Sequence, residues 1–217
     1  MSFEYNRSIG RTGTLLIVSM PFIAIIIYVA SFLLGFLQNT YLFSVVFLPL
    51  SFSGQILFLV AMNKFANYYD ARGIFRNALY AFVIAIAGTF VLFPVTFGAL
   101  SYLRNLIEAN PFTPGTSPAI SVIVAIIGFF LILWIGTFLI AAVEGFFYRR
   151  AFYALAERSG EHNFKQAGFF MFIGGILMII AIGALLFFIG WIFAVLGFFS
   201  VKPKALQTYS AEETPSS

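Results

Sequence analysis

The sequence predicts an all-α transmembrane helical bundle with five or six membrane segments. Hydrophobic residues make up 61% of the 217 residues and charged residues only 9%, a composition that a soluble domain of this size does not carry. Several apolar stretches are also long enough to cross a hydrocarbon core of about 30 Å as helices. Lysine and arginine gather between alternate stretches, which is typical of multi-pass membrane proteins.

Five apolar stretches have the length of a membrane span, and none contains Asp, Glu, Lys, Arg or His: 15–37, 41–62, 79–100, 120–143 and 169–199. They define a transmembrane domain over about 15–201, preceded by an N-terminal segment, 1–14, and followed by a disordered tail, 202–217. Only Gln38, Asn39 and Thr40 separate the first two stretches, so these helices are expected to be antiparallel neighbours.

The distribution of cations predicts the orientation. Nine Lys and Arg residues precede the first stretch or lie in the second and fourth connections, whereas the two opposite connections contain only Arg104. Because cytoplasmic loops are enriched in Lys and Arg, we expect a plasma-membrane protein with a cytoplasmic N-terminus.

The last apolar stretch has two interpretations. Its 31 residues would extend about 46 Å as one helix, so the chain could fold back near Gly183 or Gly190. Gly183, Gly190 and Gly197 recur every seven residues, however, as they would along the packing face of one unbroken helix. Lys202 and Lys204 favour a fold-back, because five simple spans would leave these cations outside. We favour a broken final helix.

The two charged connections resemble each other and indicate an internal parallel repeat. Shared offsets relate Phe65, Asp70 and Gly73 to Phe152, Glu157 and Gly160. After a two-residue insertion, "FRNALY" at 75–80 matches "FKQAGF" at 164–169, and the same register places Pro94 opposite Gly183 as a common weak point.

Local sequence predicts how each of the two charged connections, which we call elbows, turns. After Glu144, the fourth helix is expected to continue as an amphipathic extension with Phe147, Ala151 and Leu155 on one face. Gly160 is predicted to end it in the left-handed conformation, and Gly73 to do the same in the first elbow. Asn163 with Gln166 can cap the helix that follows.

The block "FFYRRAFYALAERSGEHNFKQAGFFMFIGGILMIIAIGALLFFIGWIFAVLGFFSVK" resembles an uncharacterised prokaryotic integral-membrane family, domain of unknown function family 996. The resemblance rests on the cations and aromatic residues where the fourth helix ends, the "AERSG" turn, the "FKQAG" segment that begins the next helix, and the glycine-rich run ending in "FFSVK". The first half of the chain matches the family more loosely. The resemblance implies a small polytopic protein with cytoplasmic elbows, typical of archaea and some bacteria. It brings no catalytic residues.

Two groups of residues are candidates for a function. Glu144 and Gln55 are candidate intramembrane polar or relay residues, although interfacial snorkelling and hydrogen bonding between helices also explain them. The elbow cations can contact anionic lipid headgroups or an acidic partner, or can simply set topology: Arg72, Arg76, Arg149, Arg150, Arg158 and Lys165. His162 is interpreted as a surface-loop residue.

We expect a non-enzymatic protein without cofactor or metal. The chain has no cysteine, which excludes thiol chemistry and disulfides, and it has no G-x-S-x-G, H-E-x-x-H or phosphate-binding loop motif. The expected partners are the lipid bilayer and either a second copy or other membrane subunits, with no nucleic acid.

Three functions are ranked in order. The first is assembly through small-residue helix faces, the second is transport of a weakly charged solute, and the third is membrane organisation through anionic lipids. The small-residue faces are Ala78, Ala81, Ala85 and Gly88, and Gly190 with Ala194.

Overall fold

The computed structural model describes residues 3–33, 40–109, 120–180 and 182–203. These ranges are almost entirely helical: α1 (Phe3–Leu33), α2 (Thr40–Tyr68), α3 (Arg72–Ala109), α4 (Ile120–Ser159), α5 (His162–Leu177), a 3-10 turn (Met178–Ile180) and α6 (Ile182–Ser200). Among the described residues, α1, α3, α4, α5 and α6 are long and apolar enough to cross a membrane. The predicted all-α, multi-pass membrane class is confirmed. The connection at 38–39 and the tail from 204 lie outside the described residues.

The helices form three antiparallel pairs, α1 with α2, α3 with α4, and α5 with α6. One helix of each pair lies at the centre: the ring of Phe58 in α2 contacts Tyr148 in α4 at 6.0 Å and Trp191 in α6 at 5.1 Å between ring centroids. The other three helices lie outside this triangle. Each packs in the groove between two inner helices, α1 on α2 and α6, α3 on α2 and α4, and α5 on α4 and α6.

Both ends of the described chain lie at one end of the bundle. The guanidinium group of Arg7 donates to the carbonyl oxygen of Val201 at 3.4 Å, and that of Arg11 donates to Phe198 at 3.1 Å. The two elbows lie at this end as well, because α2 and α4 are parallel to α6. We call it the basic end and define it by residues 3–11, 64–76, 149–165 and 198–203; the opposite end is the far end. Lys202 therefore joins the other cations.

The last apolar stretch forms two helices, as favoured above. The seven-residue glycine spacing therefore does not reflect one unbroken helix. A Cβ on Gly183 would collide with the backbone of Gly174 and Met178, so only glycine lets α6 begin this close to α5. Gly190 lies against the carbonyl oxygen of Ala167, and Gly197 against the ring of Phe164. The seven-residue repeat marks the face of α6 that packs on α5. Reading it as evidence for one continuous helix was wrong.

Helix α1 begins at Phe3, well before the apolar stretch predicted to start at about 15. The residues of the predicted N-terminal segment, 1–14, continue the helix from Phe3 because they have packing partners at the basic end. Phe3, Asn6 and Thr14 are buried, and the ring of Phe198 covers Gly10 so closely that a Cβ there would collide with it. Polar residues can therefore extend this helix beyond the apolar stretch.

The second elbow turns where the sequence predicted but is capped differently. Gly160 has a φ of 68°, which confirms its predicted left-handed conformation. Glu161 rather than Asn163 caps α5: its carboxylate accepts from the backbone N–H of Asn163 at 3.2 Å. The predicted Asn163 and Gln166 cap was therefore wrong, because the helix begins two residues earlier than expected.

In the first elbow the left-handed residue is Asp70, with a φ of 49°, and Gly73 is already the second residue of α3. The ending role predicted for Gly73 was therefore wrong. Aspartate tolerates this conformation better than most residues because its short polar side chain bonds locally.

The burial pattern repeats, with a register of 90 residues and no insertion. Asp70 and Gly160 are the two left-handed residues, and Arg72 and His162 begin the next helices. Buried residues correspond in the same way: Phe58, Ala61, Met62, Phe65, Tyr69 and Ile74 precede Tyr148, Ala151, Phe152, Leu155, Ser159 and Phe164 by 90 positions.

The predicted two-residue insertion and the common weak point were wrong. α3 continues through Pro94, whereas the second unit breaks at Met178–Ile180. A membrane helix tolerates proline when neighbouring helices or side chains compensate for the lost hydrogen bond.

Candidate functional site

The amphipathic extension of α4 carries cations at the basic end. Ala151 and Leu155 are buried, in agreement with the predicted face, whereas Arg150 and Glu157 are exposed. The guanidinium group of Arg149 lies 4.6 Å from the ring centroid of Phe172 and 5.3 Å from that of Tyr153. Arg150 lies 5.3 Å from the ring centroid of Phe146, and the ammonium group of Lys165 lies 6.0 Å from that of Tyr153. Aromatic faces thus hold three of the predicted contact residues.

The remaining predicted contact residues, Arg72, Arg76 and Arg158, are exposed. Arg7 pairs with Glu4 and Arg104 pairs with Glu108, whereas none of the six elbow cations forms an ion pair within the described ranges. The positive charge of the elbows is therefore not neutralised by neighbouring carboxylates. It is available to an anionic group outside the bundle.

Arg7 and Arg11, which were not predicted as site residues, close the basic end. Arg11 donates to the carbonyl oxygens of Phe198 and Phe199 at 3.1 and 3.0 Å, and its guanidinium carbon lies 4.5 Å from the Phe199 ring centroid. Carbonyl groups at a helix C-terminus lack intrahelical partners and carry partial negative charge, so a cation stabilises them. No sequence signal indicates this contact, because the partners lie 187 residues apart or more.

An aromatic layer seals the centre of the bundle below the basic end. Phe58 contacts Tyr148, Phe152, Trp191 and Phe198 at ring-centroid distances of 5.1 to 6.4 Å. Most of these contacts are edge-on, which is a favourable geometry for aromatic pairs. We call these five residues the aromatic layer. The layer fills the centre of the bundle between α2, α4 and α6 at this depth with aromatic rings.

A second aromatic cluster lies beside the first elbow. The rings of Phe65 and Tyr69 stack at 6.1 Å, and Phe3 meets Phe65 at 5.8 Å. Burial raises the pKa of the Tyr69 hydroxyl, and neighbouring Tyr68 adds to the shift, so this hydroxyl stays protonated. The cluster anchors the first elbow against α1.

Gln55 lies one turn beyond the aromatic layer, away from the basic end. It lines a cavity of about 170 Å³ between α2 and α3. The other walls are mainly apolar: Phe52, Phe82, Ala85, Ile86, Thr89 and Phe90. The carbonyl oxygen Oε1 of Gln55 is buried and has no hydrogen-bond partner within the described chain. Ser53 bonds instead to the backbone of its own helix, at the carbonyl oxygen of Pro49.

Glu144 lies in α4, four residues before Tyr148 of the aromatic layer. Glu144 is partly buried, and its side chain makes no hydrogen bond or ion pair with any described residue. The nearest cations along α4, Arg149 and Arg150, lie over aromatic rings. Glu144 is therefore an intramembrane carboxyl group without a cation partner in the described ranges.

His162 occupies an exposed position, as expected, although it is the first residue of α5 rather than part of a loop. It lines a surface pocket of about 350 Å³ with Tyr153, Glu157, Glu161 and Lys165. In the part of the chain that the structure describes, no group of three or more His, Cys, Asp or Glu side chains is placed to hold a metal ion.

Sequence comparisons identify a relative and a family model that match this chain. The uncharacterised protein MJ1644 of Methanocaldococcus jannaschii is 26% identical over 155 residues, which cover 70% of this chain and 79% of that relative. No solved structure matches the chain. A family model described as a protein of unknown function, DUF996, matches residues 50–192, from α2 into α6. The match covers both elbows, four of the five residues of the aromatic layer and most of the bundle, and the chain belongs to the DUF996 family of proteins of unknown function.

Proposed function

We propose that this protein is a non-enzymatic membrane protein that binds anionic lipid headgroups at its basic end and thereby organises the surrounding bilayer. The observation that carries the proposal is the set of elbow cations without carboxylate partners among the described residues. Each cation near an anionic membrane surface contributes about 1 kcal/mol of attraction. The six elbow cations together would favour an anionic lipid over a zwitterionic one.

The aromatic contacts support the proposal. Arg149, Arg150 and Lys165 lie over the rings of Phe172, Phe146 and Tyr153, which hold their charges beside the membrane interface. Aromatic residues favour headgroup depth. Held in this way, the cations lose less side-chain entropy when a phosphate group binds.

The proposal includes an orientation, with the basic end in the cytoplasm of a cell whose plasma membrane holds the protein. The structure supports it by bringing Lys202 to the same end as Arg7, Arg11 and the elbows. The positive-inside rule then applies to a single end of the molecule. Of the described cations, only Arg104 stays at the far end, where it pairs with Glu108 at 2.8 Å.

Native mass spectrometry of the protein released from mixed phosphatidylglycerol and phosphatidylcholine membranes tests the proposal. The wild type is expected to retain phosphatidylglycerol preferentially, and the triple variant Arg72→Glu, Arg76→Glu, Arg158→Glu to lose that preference. These three residues are exposed, so their reversal leaves the packing unchanged. The matched control is Arg104→Glu at the far end. Equal retention of phosphatidylglycerol by wild type and triple variant would sink the proposal.

Assembly through small-residue faces has less support. Ala78, Ala81 and Ala194 are fully buried within the chain, and Gly88 and Gly190 lie against Ile140 and Met171. These faces already have partners inside one molecule. Assembly with a second copy or another subunit would have to use lipid-facing surfaces, such as those of α3 and α4, where Phe90 and Ile120 are 75% and 79% exposed.

Transport of a small solute is our second candidate, and one observation favours it. The cavity between α2 and α3 places the unpartnered carbonyl oxygen of Gln55 inside the membrane region. Uptake of small neutral solutes into proteoliposomes tests this candidate. A flux that Gln55→Leu abolishes while the protein stays monodisperse would support transport, whereas a flux no greater than that of empty liposomes would contradict it.

A further inference from the structure

Gln55 and Glu144 lie at the same depth in the bundle. The rings of Phe58 and Tyr148 are 6.0 Å apart and fix the relative height of α2 and α4. Both helices run toward the basic end, and Gln55 precedes Phe58 by three residues while Glu144 precedes Tyr148 by four. At about 1.5 Å per residue along a helix, the distances of the two polar residues from the aromatic layer differ by only about 1.5 Å.

Both residues also face α3. Gln55 shares its cavity with Phe82, Ala85 and Thr89 of α3. Glu144 lies one turn from Ile140 and one from Phe147, which contact Gly88 and Tyr80 of α3. Residues spaced by three and four lie on one helix face. Glu144 is therefore opposite the part of α3 between Tyr80 and Gly88.

Ala85 lies in that part of α3 and also lines the cavity beside Gln55. Because alanine has no side chain beyond Cβ, it leaves room between α2 and α4 for two longer polar side chains. The two residues therefore converge from neighbouring helices on the same short section of α3.

The charged and titratable groups around this point supply no counterion to Glu144. On α4, Tyr148 is one turn away, and Arg149 and Arg150 lie over aromatic rings. On α3, Tyr80 contacts Phe147, and no charged residue occurs from 77 to 103. The sequence has no charged residue from 12 to 63 or from 166 to 201 either, which covers the adjoining parts of α1, α2, α5 and α6. An unpaired carboxylate in such surroundings is costly, and protonation removes the cost.

We propose that Gln55 and Glu144 form one intramembrane proton-binding site, in which the protonated carboxyl group of Glu144 donates its hydrogen bond to Oε1 of Gln55. A carboxamide oxygen can only accept, and a carboxyl group has a donor only when it is protonated. The pairing therefore gives the buried oxygen of Gln55 the donor that the rest of the described chain does not supply. The aromatic layer lies between the site and the basic end. The cavity between α2 and α3 lies on the side of the site away from the aromatic layer.

Infrared spectroscopy of the full-length protein in liposomes at neutral pH tests the site. The difference spectrum between wild type and Glu144→Gln is expected to contain the carbonyl band of a protonated carboxyl group. In Gln55→Leu, which removes the acceptor with little change of size, the band should shift to the higher frequency of a carboxyl group without that hydrogen bond. The control Glu108→Gln alters an exposed, ion-paired carboxylate and should leave the band unchanged.

Two infrared results would overturn the proposal. Absence of the protonated band in the wild type would mean that Glu144 is ionised, and a band that Gln55→Leu does not move would mean that Glu144 has a different partner, such as water.

A second measurement needs no variant. Dicyclohexylcarbodiimide, an apolar reagent for protonated carboxyl groups, is expected to label Glu144 and to spare Glu108, Glu157 and Glu161. Peptide mapping that finds Glu144 unlabelled would also contradict the site.

Discussion

The indole nitrogen of Trp134 donates a hydrogen bond to the carbonyl oxygen of Ile179 at 2.8 Å. Ile179 belongs to the 3-10 turn between α5 and α6, where the regular helical hydrogen bonds stop. Lipid offers no donors, so a carbonyl group released there needs a partner from the protein. The bond therefore joins α4 to the tip of the α5–α6 hairpin and allows the chain to turn within the apolar region.

Replacing Trp134 by phenylalanine keeps an aromatic ring but removes the N–H group. Because the carbonyl oxygen of Ile179 then lacks this donor, we expect the free energy of unfolding to fall by about 1 to 2 kcal/mol. Unfolding by sodium dodecyl sulfate in mixed micelles measures the change. Phe130→Leu, at a 63% exposed position one turn away, is the control and should have little effect. Equal stability of Trp134→Phe and wild type would show that the bond contributes nothing.

Gly183→Ala is expected to destabilise the α5–α6 hairpin more than any other glycine substitution in the bundle. Its Cβ would collide with the backbone of three residues, Gly174, Leu177 and Met178, and backbone cannot move aside cheaply. We expect a loss of at least about 2 kcal/mol. The midpoint of thermal unfolding in detergent reports it.

Gly98→Ala and Gly128→Ala are matched controls, because no atom lies within 4 Å of a Cβ at either position. Alanine favours a helix over glycine by about 1 kcal/mol, so these variants should be as stable as the wild type or more so. The account of the hairpin fails if Gly183→Ala behaves like the controls.

Phe58→Ala is expected to open the aromatic layer. Phe58 is fully buried and contacts rings on two other helices. Its truncation should cost about 3 to 5 kcal/mol, most of it from lost packing around a new cavity. Phe90→Ala, at a position 75% exposed, removes the same ring from a lipid-facing surface and should cost far less. Denaturation in mixed micelles compares the two, and similar losses would mean that the layer is no better packed than the surface.

Arg11→Gln is expected to loosen the C-terminal end of α6. The substitution removes the positive charge and the paired N–H groups that bond to Phe198 and Phe199. Hydrogen exchange of the backbone N–H groups in the last turn of α6 and at Val201 should become faster, because the terminus frays. Arg72→Gln, at an exposed position without a hydrogen bond in the described chain, should leave this exchange unchanged. Identical exchange in the two variants would mean that Arg11 does not hold the terminus.

The sequence was sufficient for the membrane class, the two elbows and the left-handed Gly160, because each depends on composition or on local backbone chemistry. It misplaced details that depend on packing. Glu161, not Asn163, caps α5, and Asp70, not Gly73, ends the first turn. In both elbows, local chemistry allows several residues to cap or end a helix. The burial of Tyr69 and Ser159 determines which residues do so.

The candidate site was predictable only as separate residues. Gln55 and Glu144 stand out as polar groups next to or within apolar stretches, but their common depth depends on the contact between Phe58 and Tyr148. The contacts of Arg11 and Trp134 join residues 187 and 45 positions apart, so no local pattern indicates them. Likewise, the spacing of Gly183, Gly190 and Gly197 indicates a packing face without naming the helix that packs on it.

The central claim is that the chain crosses the membrane an even number of times and returns both ends of the described chain and both elbows to the same surface. Since the chain has no cysteine, single variants Arg72→Cys, Lys202→Cys and Arg104→Cys can be probed with a membrane-impermeant thiol reagent on intact cells. We expect labelling at position 104 only, with positions 72 and 202 labelled after permeabilisation. Labelling of Lys202→Cys in intact cells, alongside Arg104→Cys, would contradict the account and restore a single unbroken final span.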